Sequence, residues 1–549
     1  PQEILVNMKR FLLTIISPAL MATVADAQII SVDAPASARK YSKTEFTVSL
    51  KGKWENPYLQ EQVALDMALT SPSGKTLVLP CYYESGKSGE PSEWKARFTA
   101  QETGIYSYTF RLSECGGLVS ESAPASLKVK PGKGHGILHT NDNWTLRHDD
   151  GTLFRGIAEN ICWESRDNDD SKFFSKLHEQ ADRFNYDVML PDFAANGGNF
   201  VRVWMCSWNF PIDRQRAFNN SRYTETTGYM NASAVKRLDD VITLAESLDI
   251  KFMLCMGAGD VATDRNFFVS EEAKTRFRNR LRYIVARWGY SPAIGMWEFF
   301  NEIDNIQFRD RNNPIPAEDI VGWHTEMAGY LKSIDPFHHI VTTSISHRDL
   351  AGLNSVPDLD INQKHIYNAT SVIPETIVDY EKRFGKPYVI GEFGREWDWS
   401  KNFDDFADEM DADFRRGLWY GIFSPTPVTP MSWWWEYFEN RNMVPYFKAV
   451  RKVSDMMLAE SGGKFETVEA VCDGGEAFAL KCGRNTYVYV YNPSDKPVTS
   501  VTVNAGKGKV SAFDFGALDF SRIPSKSAEG SVVIPCSVQK LGEALYLIR

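Results

Sequence analysis

The chain has 549 residues, a net charge of −10, 43% hydrophobic residues and 24% charged residues. This length exceeds what one hydrophobic core supports, so it predicts about two to four domains of ordinary globular composition. The negative charge and the lack of a long basic run argue against nucleic acid and against anionic lipid as partners.

Residues 1–27 have the features of a secretory signal peptide. A basic MKR (8–10) precedes the apolar run FLLTIISPALMATVA, and ADA (25–27) follows it. A basic start, a short apolar stretch and an A-x-A end are typical of such peptides. The apolar run is too short and too interrupted to favour a membrane span. We therefore expect residues 1–27 to be removed and the protein to be secreted.

The eight cysteines show no C-x-x-C spacing, which argues against a zinc knuckle and against a redox motif. Cys162, Cys206 and Cys255 lie in apolar, strand-like runs, where we expect them to act as small core residues. Cys472 and Cys482 could pair in an oxidising compartment or remain reduced, and the sequence leaves both alternatives open.

Two β-rich segments flank the middle of the chain. Residues 28–130 alternate apolar and polar positions with turn signals such as TSPSG and QETG, a pattern that predicts an N-terminal β-sandwich. Residues 131–136, rich in glycine, form a linker. Residues 463–549 again show short alternating strands such as TYVYVYN, which predict a second, C-terminal β-sandwich.

The central segment, residues 137–460, alternates short apolar runs with amphipathic helices. One such helix is expected over 231–250 and another over 271–288. Eight strand-like runs are present: GIAENICW, FVRVWM, KFMLCM, AIGMWEFF, HIVTTS, LDINQKHIY, PYVIGEF and VTPMSWWW. Eight alternating units over this length favour a closed (β/α)8 TIM barrel, with functional groups at the carboxyl ends of its strands.

Glutamates end two of these runs. W-E-F-F-N-E in the fourth run contains Glu298 and Glu302, which share one face if the strand stays extended through both. A buried carboxylate needs a partner, so we expect Glu298 to pair with Arg202 of the second run and Glu302 to face a ligand. Glu392 ends the seventh run. Two glutamates at one barrel mouth predict a retaining glycosidase.

These motifs resemble glycoside hydrolase clan A, in particular its family-five-like (cellulase- and mannanase-like) bacterial members. The resemblance implies that Glu302 is the acid/base, Glu392 the nucleophile, and Asn301 a ligand of a sugar hydroxyl. It also places Arg202 near the nucleophile, and His365 and Tyr367 at the sixth strand. W-E-N-P-Y, S-P-S-G and G-I-Y-S-Y in the N-terminal segment resemble an immunoglobulin-like module that often precedes such barrels.

Tryptophans near the strand ends are further candidates for contacts with sugar. S-W-W-W resembles the end of the eighth strand in clan A, where one tryptophan forms the floor of the sugar site; we favour Trp434, with Trp433 as the alternative. Trp208 and Asn160 are also expected to line the cleft. One departure is Ile303, which stands where many family-five enzymes have proline after the Asn-Glu pair.

The leading functional hypothesis is a secreted, retaining β-glycoside hydrolase, periplasmic or extracellular in a bacterium, that cleaves a β-linked poly- or oligosaccharide. The alternative is a non-catalytic carbohydrate-binding protein on a degenerate barrel. A metal-dependent hydrolase would need histidine clusters at strand ends, and only His338-His339 are adjacent. We therefore expect no cofactor. The oligomeric state is left open.

Overall fold

The structure is a computed structural model that describes residues 27–166, 186–216, 218, 220–258, 262, 264–396, 398, 400–528 and 530–549. The predicted signal peptide therefore lies outside the described residues, apart from Ala27.

The N-terminal segment forms two β-sheets around one core. Alternate residues such as Phe46, Val48 and Leu50 are fully buried between the sheets, as expected for strands with one face on a core. In spatial order, the first sheet contains Gln28–Asp33, Lys43–Lys51, Pro91–Thr99 and Tyr82–Ser85. The second contains Ala38–Arg39, Ala125–Lys130, Gly104–Glu114, Val63–Thr70 and Thr76–Pro80, with Gly117–Glu121 paired to Gly104–Glu114.

The central segment is a barrel of parallel strands. Its strands, in order, are Ala158–Asn160, Phe200–Trp204, Lys251–Cys255, Ile294–Glu298, Ile340–Thr342 (continued by Ser344–Ile345), Asn362–Tyr367 and Tyr388–Gly394. Residues 428–432 take the eighth position, because Val428 forms a parallel bridge to Gly156 and Ser432 forms one to Phe393. These two bridges connect the seventh strand to the first and close the barrel.

Helices cover the outside of the barrel and follow most strands. The α-helices are Tyr186–Ala195, Ala232–Leu248, Arg265–Val269, Glu271–Trp288, Ile303–Gln307, Ala317–Ile334, Ile373–Phe384, Ala407–Ile422, Trp435–Asn440 and Phe447–Ser461. Short 3-10 turns lie at Leu353–Ser355, Thr370–Val372, Phe403–Phe406 and Val444–Tyr446. Among the helices of the described residues, none combines the length and the apolar content needed to cross a membrane.

A small antiparallel sheet closes the amino-terminal end of the barrel. Its strands are Leu138–Thr140, Leu146–His148 and Leu153–Phe154, and the sequence patterns did not predict it. Leu138 and Leu146 share a core with Met253, Met296 and Val389 from the barrel strands. Because this end is filled by apolar side chains, a ligand site belongs at the opposite, carboxyl end of the strands.

The fourth barrel strand ends earlier than the sequence predicted. It stops at Glu298, and Glu302 has a left-handed backbone conformation (φ 49°, ψ 59°) that turns the chain into the short helix Ile303–Gln307. The expectation that Glu298 and Glu302 share the face of one extended strand is therefore wrong. The turn at Glu302, rather than strand alternation, carries its side chain to the barrel mouth.

The C-terminal segment also forms two sheets. One contains Phe465–Val468, Glu476–Cys482, Asn485–Tyr491, Glu543–Ile548, Val510–Asp514 and Asp519–Arg522. The other contains Ala470–Cys472, Val498–Val503, Ser531–Val538 and Lys526–Ala528. All eight cysteines lie within the described residues and are free, so the Cys472–Cys482 pairing that the sequence left open is not formed.

An ion-pair cluster joins the N-terminal segment to the barrel. Asp239 of the helix Ala232–Leu248 accepts hydrogen bonds from Arg97 (2.9 Å), from Arg287 (2.7 Å) and from the indole of Trp288 (2.8 Å). Glu45 pairs with the same Arg97 from the neighbouring strand at 2.9 Å. The N-terminal segment is thus attached to the outer helices of the barrel.

Candidate active site

Arg202 lies at the centre of the barrel mouth with its side chain fully buried. It binds Glu298 with two hydrogen bonds, from Nε to Oε2 (2.7 Å) and from Nη2 to Oε1 (2.8 Å). Its Nη1 donates to Oε1 of Glu392 at 2.6 Å. Burial alone would lower the pKa of Arg202, but the two carboxylates raise it above its usual value. A permanent cation therefore connects the deep glutamate to the one at the end of the seventh strand.

Glu392 is surrounded by groups that favour its charged form. Tyr367 donates its hydroxyl to Oε2 of Glu392, and Nδ1 of His365 lies 3.3 Å from the same oxygen. Burial alone would raise the pKa of Glu392, but His365, Arg202 and Tyr367 together lower it. Conversely, burial and the charge of Glu392 raise the pKa of the Tyr367 phenol, so this hydroxyl stays a donor.

The imidazole of His365 lies between the two candidate catalytic carboxylates. Nδ1 lies 2.8 Å from Oε1 of Glu302, in addition to its contact with Glu392. Burial alone would lower the pKa of His365, but Glu392 and Glu302 raise it to about 9. His365 is therefore an imidazolium at neutral pH and places a positive charge between the two carboxyl groups.

Glu302 is more accessible than Glu392, with 18% of its side chain exposed against 3%. Its backbone NH donates to Oγ of Ser344 (2.9 Å), which holds the left-handed turn from the neighbouring strand. One oxygen each of Glu302 and Glu392 lie within 4.8 Å of each other. Oxygens this close favour a retaining pair over an inverting one, in which the carboxyl groups lie about 6.5–9.5 Å apart.

The two asparagines predicted for the site have different surroundings. Asn301 accepts a 2.8 Å hydrogen bond from Nη2 of Arg202 on its Oδ1, so its NH2 group is the end that can donate to a ligand. Asn160 is fully buried, and its NH2 group donates to the carbonyls of Gly391, Met431 and Ser432. The prediction that Asn160 contacts substrate is therefore wrong. Its amide instead joins the first strand to the seventh strand and to residues 428–432 at the eighth position.

Five tryptophans form a cluster beside Arg202. Trp204 lies with its ring 5.6 Å from the Arg202 guanidinium and 5.3 Å from the ring of Trp433. Trp163 contacts both of these rings, as well as Trp208 at 5.6 Å and Trp435 at 4.9 Å. Of the predicted sugar contacts, Trp433 and Trp208 thus belong to this half-buried aromatic wall.

Trp434, the tryptophan favoured from the sequence, lies outside that cluster. Its ring packs on Phe403 (4.9 Å), and its indole NH donates to the carbonyl of Arg395 at 2.6 Å. It also lies against the end of the seventh strand, where a Cβ on Gly394 would lie 3.4 Å from its ring. Trp433 therefore packs among the clustered tryptophans, and Trp434 packs on Phe403 and Gly394.

Sequence reasoning missed several residues that shape the site. Gln363 donates to Oε1 of Glu298 at 3.0 Å, and a Cβ at Gly391 would lie 1.9 Å from its Oε1 and 2.9 Å from Nε2 of His365. Only glycine fits at that position. Asn305, which donates to Oε2 of Glu302 at 2.7 Å, was also missed. The first contact joins two barrel strands, and the second is a local contact made by the turn at Glu302, so neither follows from the strand pattern of the sequence.

Glu302, His365 and Glu392 are also the one group among the described residues with the spacing of a metal site. The guanidinium of Arg202 and the protonated imidazole of His365 already face these carboxylates. These two cations would repel a metal ion placed between the carboxylates. We interpret the cluster as a pair of carboxyl groups with unequal surroundings rather than as a metal centre.

Comparisons with known proteins agree with this geometry. Residues 166–414 match the family described as cellulase (glycosyl hydrolase family 5), and residues 37–113 match a domain of unknown function (DUF5060). The chain is 24% identical over 254 residues to mannan endo-1,4-beta-mannosidase A of Podospora anserina, which covers 39% of this chain and 65% of that protein. It is 27% identical over 175 residues to the mannosidase A of Hypocrea jecorina, which covers 28% of this chain and 37% of that protein.

Residues 166–414, most of the barrel, support a glycoside hydrolase domain of clan A, of the family 5 type. Its match to curated relatives spans less than two thirds of their length. Among solved structures, a candidate glycoside hydrolase from Bacteroides vulgatus has the same overall fold, with a TM-score of 0.62, 13% identity and coverage of 94% of this chain and 100% of that one. Clan A enzymes retain anomeric configuration, so two carboxyl groups about 5 Å apart are what such a domain requires.

Proposed function

We propose that this chain is a secreted, retaining β-glycoside hydrolase that cleaves a β-linked poly- or oligosaccharide, with Glu392 as nucleophile and Glu302 as acid/base. The observation that carries the proposal is the unequal surroundings of these two carboxyl groups, one oxygen each within 4.8 Å. Arg202, His365 and Tyr367 lower the pKa of Glu392, and a nucleophile must be ionised. Glu302 is the more exposed of the two, as a group that exchanges protons with water must be.

The proposed reaction proceeds in two displacements. A carboxylate oxygen of Glu392 attacks the anomeric carbon while Glu302 protonates the departing glycosidic oxygen, which leaves a covalent glycosyl-enzyme. Glu302, now ionised, removes a proton from a water molecule that attacks the same carbon and releases Glu392. Asn301 would donate its NH2 group to a hydroxyl of the sugar bound between the two glutamates, and Trp433 would provide an apolar wall.

Azide distinguishes the two roles. In Glu302→Ala, substrates with a good leaving group still form the intermediate, and azide, which needs no base, should restore turnover and give the β-glycosyl azide. In Glu392→Ala hydrolysis should stop, and azide should give only the inverted α-azide. Product configuration by proton NMR decides the assignment. The opposite pattern of azides would mean that the two roles are exchanged.

For the substrate, we propose a β-1,4-linked mannan-type glycan as the first candidate. The support is that the curated relatives are named mannan endo-1,4-beta-mannosidases. The test is hydrolysis of a panel of β-linked glycans, including mannan, cellulose, xylan and mixed-linkage glucan, with products separated by chain length. Activity confined to a glycan other than mannan would reject this substrate but keep the enzyme class.

The alternative is a carbohydrate-binding protein that has lost catalysis. It is disfavoured because both carboxylates are in place, together with Arg202 and Tyr367, which keep Glu392 ionised. Wild-type protein that binds a glycan in the panel without cleaving it, or any activated aryl β-glycoside, would support this alternative.

We also propose that both flanking segments are β-sandwiches, the N-terminal one immunoglobulin-like, and that the chain is exported after cleavage following Ala27. The paired sheets around shared cores support the first point, and the MKR–apolar–ADA order supports the second. Fractionation of a bacterial host, with N-terminal sequencing of the exported protein, tests the export; protein retained in the cytoplasm with its leader would reject it.

A further inference from the structure

Glu302 has a neighbour that the Asn-Glu motif does not explain. Nδ2 of Asn305 donates a 2.7 Å hydrogen bond to Oε2 of Glu302, whereas Oε1 contacts Nδ1 of His365 at 2.8 Å. The two carboxylate oxygens therefore have different donors. His365 also contacts Glu392, whereas the side chain of Asn305 contacts Glu302, Ser346 and Arg348.

Arg348 fixes the orientation of the Asn305 amide. Its Nη2 donates to Oδ1 of Asn305 at 2.8 Å, and its guanidinium lies over the ring of Phe308 at 4.7 Å. A guanidinium can only donate hydrogen bonds, so it must face the oxygen of the amide. The NH2 group of Asn305 is then directed at Glu302.

The backbone around Asn305 is held as well. The neighbouring Asp304 is fully buried and accepts hydrogen bonds from the backbone NH (2.7 Å) and the hydroxyl (2.6 Å) of Ser346. These bonds attach the short helix Ile303–Gln307 to the loop that follows the fifth barrel strand. The same loop carries Arg348. Asn305 and the arginine that orients it are therefore connected through the bonds between Asp304 and Ser346.

We propose that Asn305, oriented by Arg348, is a positioning residue that holds Glu302 against the glycosidic oxygen. The inference rests on the proposed function, since it assumes that Glu302 is the acid/base. Asn305 is exposed at the surface of the site, and it acts through Glu302.

Several charged or titratable groups face Glu302 besides Asn305. They are His365 and Tyr367 of the sixth strand and Glu392 of the seventh. Asp304 and Arg348 pair with each other beside Asn305. His365 contacts both carboxyl groups and the hydroxyl of Tyr367 is bonded to Glu392, so changing either residue alters Glu392. Asn305 is neutral and, of the two catalytic carboxyl groups, is bonded to Glu302. Replacing Asn305 therefore tests Glu302 without removing a contact of Glu392.

The first measurement is the pH dependence of kcat/KM in Asn305→Ala. A donor to a carboxylate favours the ionised form, so its loss should let Glu302 keep its proton to higher pH. We expect the basic limb to move up by about half to one pH unit, with the acidic limb unchanged. Arg348→Ala should move the basic limb in the same direction by less, because the amide remains but is no longer oriented.

The second measurement compares leaving groups. Departure of an alcohol needs a proton from Glu302, whereas departure of a dinitrophenolate does not. In Asn305→Ala we expect kcat/KM to fall about tenfold for the natural glycan and less than about threefold for the dinitrophenyl glycoside. Asn312→Ala, at an exposed asparagine on the following loop, is the matched control and should leave both values and the pH profile unchanged.

Two outcomes would overturn the inference. In one, Asn305→Ala has the wild-type basic limb, or loses activity equally on both substrates without a pH shift, while its circular dichroism is that of wild type; Asn305 would then be merely structural. In the other, Glu302→Ala keeps full activity on the natural glycan, or wild type cleaves no β-glycoside. The proposed function itself would then fail, and the inference with it.

Discussion

At the scale of single residues, Arg202 explains why two glutamates of the barrel interior behave differently. Its bidentate bond to Glu298 lies below the site and leaves that carboxylate no exposed surface, whereas its remaining NH group reaches Glu392. Arg202 therefore neutralises the deep carboxylate of Glu298 and also helps to lower the pKa of Glu392, which faces the ligand site. The pairing of Glu298 with Arg202 could be predicted from the sequence, because a buried carboxylate needs a cation.

Removing the tyrosine hydroxyl tests how Glu392 is kept ionised. In Tyr367→Phe one donor to the carboxylate is lost, so the pKa of Glu392 should rise toward its ordinary value. A nucleophile must be ionised, so we expect the acidic limb of kcat/KM to move up by about half to one pH unit. The basic limb should stay in place. If the acidic limb of kcat/KM is unchanged in a normally folded variant, Arg202 and His365 are sufficient to keep Glu392 ionised.

Glu298→Gln separates stability from catalysis. The change leaves a buried guanidinium with one carboxylate instead of two, which should destabilise the fold by about 3 kcal/mol. Thermal unfolding followed by circular dichroism measures this loss. Glu466→Gln, at a surface ion pair with Lys481, is the control and should change little. A Glu298→Gln protein with wild-type stability and no turnover would mean that Glu298, not Glu302, is the catalytic residue of this segment.

At the scale of elements, the interior of each barrel strand could be predicted and its ends could not. Apolar runs mark the buried strands correctly because burial on both faces requires them. The fourth strand, however, ends at Glu298 because a left-handed turn at Glu302 intervenes. The hairpin sheet of residues 138–154 was missed because its strands have only two or three residues each. Such short strands show no period, and tertiary contacts alone define them.

Contacts between loops have no sequence signal for the same reason. Asn305 and Arg348 are far apart along the chain, and they meet because Asp304 binds Ser346. The motif W-E-F-F-N-E predicts the two glutamates but is silent about the residues that orient them. This part of the candidate site required the fold.

The start of the helix Ala232–Leu248 offers a test of how a rim loop is held. Asn231 caps the helix by accepting from the NH of Ala234 (3.1 Å), and its NH2 group donates to the carbonyls of Arg214 (3.0 Å) and Thr224 (2.9 Å) in the preceding loop. We expect Asn231→Ala to cost about 2 kcal/mol, more than a cap alone, and to expose residues 205–230 to limited proteolysis.

The matched control for this prediction is Ser270→Ala. Ser270 caps the helix Glu271–Trp288 through the NH of Ala273, and the substitution leaves its backbone hydrogen bonds to Asn266 and Lys274 intact. It should cost about 1 kcal/mol and leave the proteolysis of residues 205–230 unchanged. Equal proteolysis in the two variants would contradict the role of Asn231 in holding the loop.

At the scale of the whole molecule, the N-terminal segment is attached to the outside of the barrel through buried charge. Asp239 receives Arg97 from one side and Arg287 and Trp288 from the other. Burial alone would raise the pKa of Asp239, but the two arginines lower it. Its contribution to stability is therefore present above the ordinary aspartate pKa and is lost as pH falls through the lowered value.

Asp239→Ala should uncouple the two parts. It leaves two arginines facing each other across a partly buried contact, at a cost of about 3 kcal/mol. We expect calorimetry of the full wild-type chain at neutral pH to give one unfolding transition for the N-terminal segment and barrel, and Asp239→Ala to give two. The adjacent Asp240, half-exposed and paired with Lys236 four residues earlier, provides the control: Asp240→Ala should keep one transition. Because the cluster lies among the outer helices, kcat/KM of Asp239→Ala should equal that of wild type below the first transition. A variant that keeps the single transition at the wild-type temperature would show that the apolar contacts of this interface hold the two parts together without the ion pairs.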